Sequence, residues 1–166
     1  PRFLAAEPTS RVSRVAGDAF SKNDPPASFS ARDVAASSWA FASLDFFDEA
    51  LFEALARVST AMCARDAFDA RALANVAWAH AKASAGDEAG RRDLFSGVAR
   101  ALTRRATQTL ADSDMPSRDI ANAVWAFAKA CHPDDARCDA LLLRVPTTAP
   151  RLERFNTQDL VNAAWA

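Results

Sequence analysis

The sequence predicts an all-α fold, an α-solenoid of two-helix repeats of about 38–47 residues, and three observations point to it. A tryptophan-centred phrase recurs at Trp39, Trp78, Trp125 and Trp165, at separations of 39, 47 and 40 residues. The chain is rich in alanine, with four glycines and no tyrosine. Alanine loses no side-chain entropy in a helix, whereas sheets lean on branched and aromatic residues. Between the tryptophans, apolar residues return at spacings of three and four, the period of an amphipathic helix. A repeat of this length suits a two-helix unit that buries its apolar face only by stacking on its neighbours.

Four segments align without gaps: Phe29–Ala42 (FSARDVAASSWAFA), Phe68–Ala81 (FDARALANVAWAHA), Met115–Ala128 (MPSRDIANAVWAFA) and Phe155–Ala166 (FNTQDLVNAAWA). Each is read as the first helix of a unit, opening near Ser30, Asp69, Pro116 and Asn156. Three of these are N-cap residue types, and proline suits a first turn. The second helix is clearest from Asp45 to Arg65, where Phe47, Leu51, Phe52, Leu55, Val58 and Met62 form an apolar stripe and Asp48, Glu49, Glu53 and Arg57 face solvent. A second copy runs from about Asp87 to Leu110 through Leu94, Phe95, Val98 and Leu102, and a shorter third copy lies between Pro133 and Arg144. Thr9–Phe20 resembles the second helix of a preceding unit. The organisation expected is therefore 1–28 as the second helix of an incomplete repeat, then 29–67, 68–114 and 115–154 as repeats 1 to 3, and 155–166 as the first helix of a truncated repeat 4. A chain that opens on Pro1 and closes just after Trp165 reads as an excerpt of a longer one.

A formal charge of −1 and a pI near 6.2 give no global positive field, so any anion-binding surface has to be local. No apolar run approaches the roughly 20 residues of a membrane span. Catalysis is not expected: the chain has no Gly-rich phosphate loop, HExxH or GxSxG, and His80 and His132 lack a recognisable acid or serine partner. Asp134 and Asp135 open a helix, where carboxylates favour the dipole. No cofactor or metal is expected either. Cys131, His132 and Cys138 fall short of the four ligands of a structural zinc site, and with Cys63 the three cysteines form no disulfide framework.

The phrases LANVAWAHA, IANAVWAFA and LVNAAWA, each preceded by phenylalanine or methionine and a short polar segment, resemble the octotricopeptide repeats of algal organelle RNA-binding proteins. They are similar also to the helical repeats of FAST-kinase-like proteins and of kinetoplastid RNA-editing substrate-binding complexes. The resemblance covers about residues 29–166 and implies an α-solenoid that binds single-stranded RNA in a mitochondrion or chloroplast, in RNA processing, stability, editing or translation, with other proteins of such a complex as further partners. The chain departs from the pattern at Ala36 and Ser37 in place of an Asn-containing pair, at His80 in place of phenylalanine, and at Met115 in place of the leading phenylalanine.

At about 100° per residue, the positions five and one before each tryptophan and two after it share a side, read as core with the tryptophan at its edge. Positions seven and three before it and four after it share another. They hold Arg32, Ala36 and Ser43 in unit one; Arg71, Asn75 and Lys82 in unit two; Arg118, Asn122 and Lys129 in unit three; Gln158 and Asn162 in the last. Stacked units would set these side chains in a ladder, with Arg and Lys on phosphates and Asn on base edges or ribose hydroxyls. The opposing reading gives the asparagines to neighbouring backbone and the arginines to surface ion pairs with Asp33 and Asp119. The tryptophans, flanked by alanines, are read as packing anchors rather than base-stacking rings, and His80 as a packing residue. A second basic cluster, Arg91, Arg92, Arg100, Arg104 and Arg105, extends a phosphate track or forms a solvated face. The competing function is a protein-binding scaffold without RNA contact, which the near-neutral charge favours.

Overall fold

A computed structural model describes residues 29–84, 88–108, 116–130 and 155–165, and among them the chain is all-α, with six helices and no strand. They are α1 (Ala31–Ser43), α2 (Glu49–Ala64), α3 (Ala70–Ala83), α4 (Glu88–Gln108), α5 (Ser117–Ala130) and α6 (Thr157–Trp165). The expected helices over Thr9–Phe20 and Pro133–Arg144, and the Cys131, His132 and Cys138 set, lie outside the described residues.

The four expected helix starts hold to within a residue, for reasons local to the sequence. Ser30 caps α1 through a reciprocal box: its hydroxyl accepts the Asp33 N–H at 3.3 Å, and Asp33 accepts the Ser30 N–H at 2.9 Å. The Ser30 hydroxyl and N–H hold the Asp33 carboxyl below its usual range. Asp69 caps α3 by accepting the Ala72 N–H at 2.7 Å. Pro116 precedes α5, and at α6 the Asn156 side chain accepts the Asp159 N–H at 2.8 Å. The second helix of unit one begins later than the expected Asp45. Asp48 caps it by accepting the Leu51 N–H at 2.9 Å, while Asp45 lies in the left-handed region at φ 54° and belongs to the end of α1. Phe47, expected in the apolar stripe, therefore precedes the helix and is 42% exposed.

Packing arranges the helices in two rows. α1 lies against α3, α3 against α5 and α5 against α6, while α2 lies against α4; α1–α2, α3–α4 and α2–α3 contacts join the rows. One core runs through both, with Val34, Leu51, Leu55, Val58, Leu73, Val76, Leu94 and Val98 fully or almost fully buried. Gly97 lets α2 and α4 approach closely, since a Cβ there would stand 3.3 Å from the Cβ of Cys63. The aliphatic position five before each tryptophan is buried at Val34 and Leu73, half-buried at Ile120 and exposed at Leu160, on a side of α6 that α5 leaves open.

Two clasps of the same design join successive helices in each row. The Lys82 ammonium donates to the Ala42 carbonyl at 2.9 Å and pairs with Asp45 at 2.9 Å, reaching from α3 to the end of α1. Arg104 donates to the Cys63 carbonyl at 2.9 Å and pairs with Asp66 at 3.7 Å, reaching from α4 to the end of α2. In both, the aspartate follows the C-cap residue in left-handed backbone at φ 54°, and the same carbonyl also accepts its N–H. Aspartate tolerates that conformation better than most residues. A cation is favourable at the negative end of a helix dipole and gives the carbonyl a second, charged donor.

Truncating Leu73→Ala should cost about 2–5 kcal/mol in denaturant unfolding, the range for a buried leucine. Leu160→Ala should change stability by less than about 1 kcal/mol. For the clasps, the screened aspartate adds little and the carbonyl bond carries the effect. Lys82→Met and Arg104→Met should each lose about 1–2 kcal/mol. Arg92→Met, which removes an exposed pair with Glu88 four residues away, should lose about 0.5 kcal/mol or less.

Candidate nucleic-acid interface

Helix α3 touches α1, α2, α4 and α5, and this enclosure determines what it shows to solvent. Ala72, Leu73, Ala74, Val76, Ala77, Ala79, His80 and Ala81 are all buried. Between the helix's first and last residues, only Arg71, Asn75, Trp78 and Lys82 are exposed or half-buried. These are the three predicted ladder residues of unit two together with its tryptophan. On α5 the same positions, Arg118, Asn122, Trp125 and Lys129, are likewise exposed or half-buried, and on α6 so are Gln158, Asn162 and Trp165. Unit one has exposed Arg32, Ala36 and Trp39.

The tryptophans are thus on the polar line, not simply at the edge of the core. Positions seven and three before the tryptophan, the tryptophan itself and four after it fall within about 60° of one another at 100° per residue. Trp78 rests one side on the cluster of Ala42, Phe52 and Ala79, and Trp125 rests on the main core. The rings also meet each other, Trp78 and Trp125 with centroids 6.3 Å apart and planes at 37°, Trp125 and Trp165 at 5.9 Å and 35°. Trp165 is 62% exposed and Trp39 47%. The Lys82 ammonium stands 5.3 Å from the centre of the Trp78 ring, and Lys129 4.9 Å from that of Trp125. The expectation of packing anchors captures one side of these rings and misses the other. The signal available in the sequence was the angular position, which places the indole nearer Asn and Lys than the core stripe.

The ladder residues differ in what already holds them. Lys82 is committed to the α1 clasp. Arg71 lies 3.5 Å from Asp119 on the next helix, yet its side chain is 70% exposed. Asp119 is buried, and burial raises its carboxyl above the usual range while Arg71 opposes the rise. The arginine therefore pairs across units, in place of the expected pairing of Arg118 with the adjacent Asp119. A related bond joins α5 to α6, where the Ser117 hydroxyl donates to Asp159 at 3.2 Å. Arg32, Arg118 and Lys129 make no ion pair among the described residues. Asn75 and Asn122 make no side-chain hydrogen bond among the described residues, whereas Asn162 accepts from Gln158 at 2.9 Å.

The second basic cluster divides similarly. Arg92 pairs with Glu88 and Arg104 closes the α2 clasp, leaving Arg91 half-buried and Arg100 exposed on α4. Burial pushes the Cys63 thiol up to about 12, which keeps it protonated and unreactive. No group of His, Cys, Asp or Glu among the described residues is placed to hold a metal ion, and no described helix is long and apolar enough to cross a membrane.

His80 packs edge-on against Phe52 at 5.3 Å and 80°, the contact that Phe127 makes with Phe95 at 5.3 Å and 84° one unit later. It is a packing residue, but its Nε2 has no hydrogen-bond partner, and burial lowers its pKa from 6.5 to about 4. The chain matches no family model, and no curated protein or solved structure shows significant similarity to it.

Replacing His80→Phe should raise stability and remove an acid-dependent loss. The folded imidazole stays neutral to about pH 4, while the unfolded one takes a proton near 6.5. Acid therefore favours the unfolded chain: this contribution is whole above pH 6.5 and falls away down to pH 4. The difference in unfolding free energy between variant and parent should widen by roughly 3 kcal/mol across that window. Because Asp119 titrates in both proteins and in the opposite sense, the difference isolates His80.

Proposed function

We propose that the chain is a stretch of α-solenoid that binds single-stranded RNA along the row formed by α1, α3, α5 and α6. The observation that carries this reading is the line left open on α3: a helix enclosed on its other sides shows solvent a guanidinium, an amide, an indole and an ammonium, and the same residue types recur at the same positions on α5. Helix rows that follow the sequence repeat support the solenoid. The likeness of the Trp-centred phrases to octotricopeptide and related repeats supports the ligand, and with it an organellar role in RNA processing, stability, editing or translation.

Arg118, Lys129, Arg32 and the exposed head of Arg71 supply phosphate contacts, which position a strand without reading it. The amides of Asn75 and Asn122, unbonded among the described residues, with Gln158 and Asn162 further along, meet base edges or ribose hydroxyls. Lys82 contributes chiefly to the clasp. A protein-binding surface is the second reading, favoured by the acidic partners that Arg71 and Lys82 already have and by a net charge of −1.

The test is binding of the folded chain to labelled single-stranded RNA across a salt series. Arg118→Glu and Lys129→Glu should each weaken binding about tenfold, the effect of losing one charge-assisted hydrogen bond. Each should also reduce the salt slope by about 0.7, the value per phosphate of a single strand. Absence of binding at low salt would overturn the RNA reading in favour of a protein partner.

A further inference from the structure

We propose that Trp78, Trp125 and Trp165 form a base-stacking platform, with Lys129 as the cation that holds a phosphate beside it. This deepens the RNA reading and rests on it. The three rings are half-buried or exposed, and each meets the next at 6.3 Å or 5.9 Å. A ring wholly consumed by packing would be covered, and an isolated exposed ring would be free to turn. Trp78 and Trp125 are held by the core and all three rings by one another, and each keeps part of its surface exposed. Pre-set orientation lowers the entropy lost when a base settles on a ring. An indole accepts any base, because every base has a π-face.

The neighbours of the rings fit the same use. Asn75 and Asn122 stand three residues before Trp78 and Trp125, on the same helix face, with amides that no described residue occupies. An amide next to a stacked base reaches its edge. Lys129 stands over the Trp125 ring, 4.9 Å from its centre, and is exposed, without an ion pair among the described residues. Lys82 has the matching place at Trp78 but is held by the Ala42 carbonyl and Asp45. The difference has a local cause. At the end of α3 the carbonyl corresponding to Ala42, that of Ala81, accepts the Ser84 hydroxyl at 3.2 Å, and Ser84 replaces the clasping aspartate, so Lys129 meets no such aspartate among the described residues.

Unit one lacks each part. Ala36 stands for the asparagine, Ser43 for the lysine, and Trp39 has no ring neighbour among the described residues, although it is more exposed than Trp78 or Trp125. The platform therefore starts at Trp78, and exposure alone does not define it.

The experiment compares the full chain and its Trp125→Ala, Trp125→Phe and Trp39→Ala variants, each checked for folding by circular dichroism. The probes are a labelled single-stranded RNA and the same strand with abasic riboses, with indole fluorescence recorded during titration. The platform predicts that abasic riboses and Trp125→Ala each weaken binding roughly five- to hundredfold, the loss per stacked base. Trp125→Phe should keep most of the affinity, Trp39→Ala should change it less than about twofold, and RNA should quench the indole emission. If Trp125→Ala does not fold, the abasic strand on the unaltered chain decides. Equal, salt-sensitive affinity for intact and abasic strands would overturn the platform and leave RNA binding standing. No binding of either strand at low salt would overturn both.

Discussion

The enclosure of α3 is the constraint on which the rest depends. A helix packed against four others has to be narrow, and its five buried alanines, with Leu73, Val76 and His80, make it so. Side chains too large or too polar for that interior have one direction left. Arg71, Asn75, Trp78 and Lys82 share it because they recur at the 3.6-residue period, and the alignment of the units gives α5 the same line. Core and surface are set by one pattern: alanines that bring neighbouring first helices together also bring their indoles within reach of each other.

The cations on this row serve two different ends. Lys82, like Arg104 in the other row, finishes the C-terminal end of the preceding helix, adding a charged donor to a carbonyl at the negative end of the dipole. Arg71 offsets a carboxylate buried at the start of the next helix. Such residues fix how one unit sits on another. Lys129 and Arg118, at equivalent places, make no ion pair among the described residues. At the lysine position the clasp forms where an aspartate such as Asp45 follows the neighbouring helix, and Ser84 stands in that place before Lys129.

Much of this was legible in the sequence. The four Trp-centred phrases located the first helices, and Ser30, Asp69, Pro116 and Asn156 set their starts, because capping is decided within three or four residues. The same locality shows why the start of α2 was misplaced: Asp45 and Asp48 are both helix-start residues by type, and only the left-handed turn at Asp45 separates them. The ladder of Arg, Asn and Lys followed from periodicity. The indoles read as packing anchors because alanines flank them and they border the apolar stripe, although their angle on the helix places them with the polar line. The bond from Lys82 to Ala42, the pairing of Arg71 with Asp119 and the edge-on contact of His80 with Phe52 join different units. They are set by stacking, which a reading within one unit does not contain.

Residue-level photocrosslinking of a single-stranded RNA to the full chain, mapped by mass spectrometry, tests the RNA surface most directly. Adducts concentrated on Arg71, Asn75, Trp78, Arg118, Asn122, Trp125 and Lys129 are the result expected. Adducts on the α4 face at Arg91, Arg92 and Arg100, with none on the first-helix line, would contradict it.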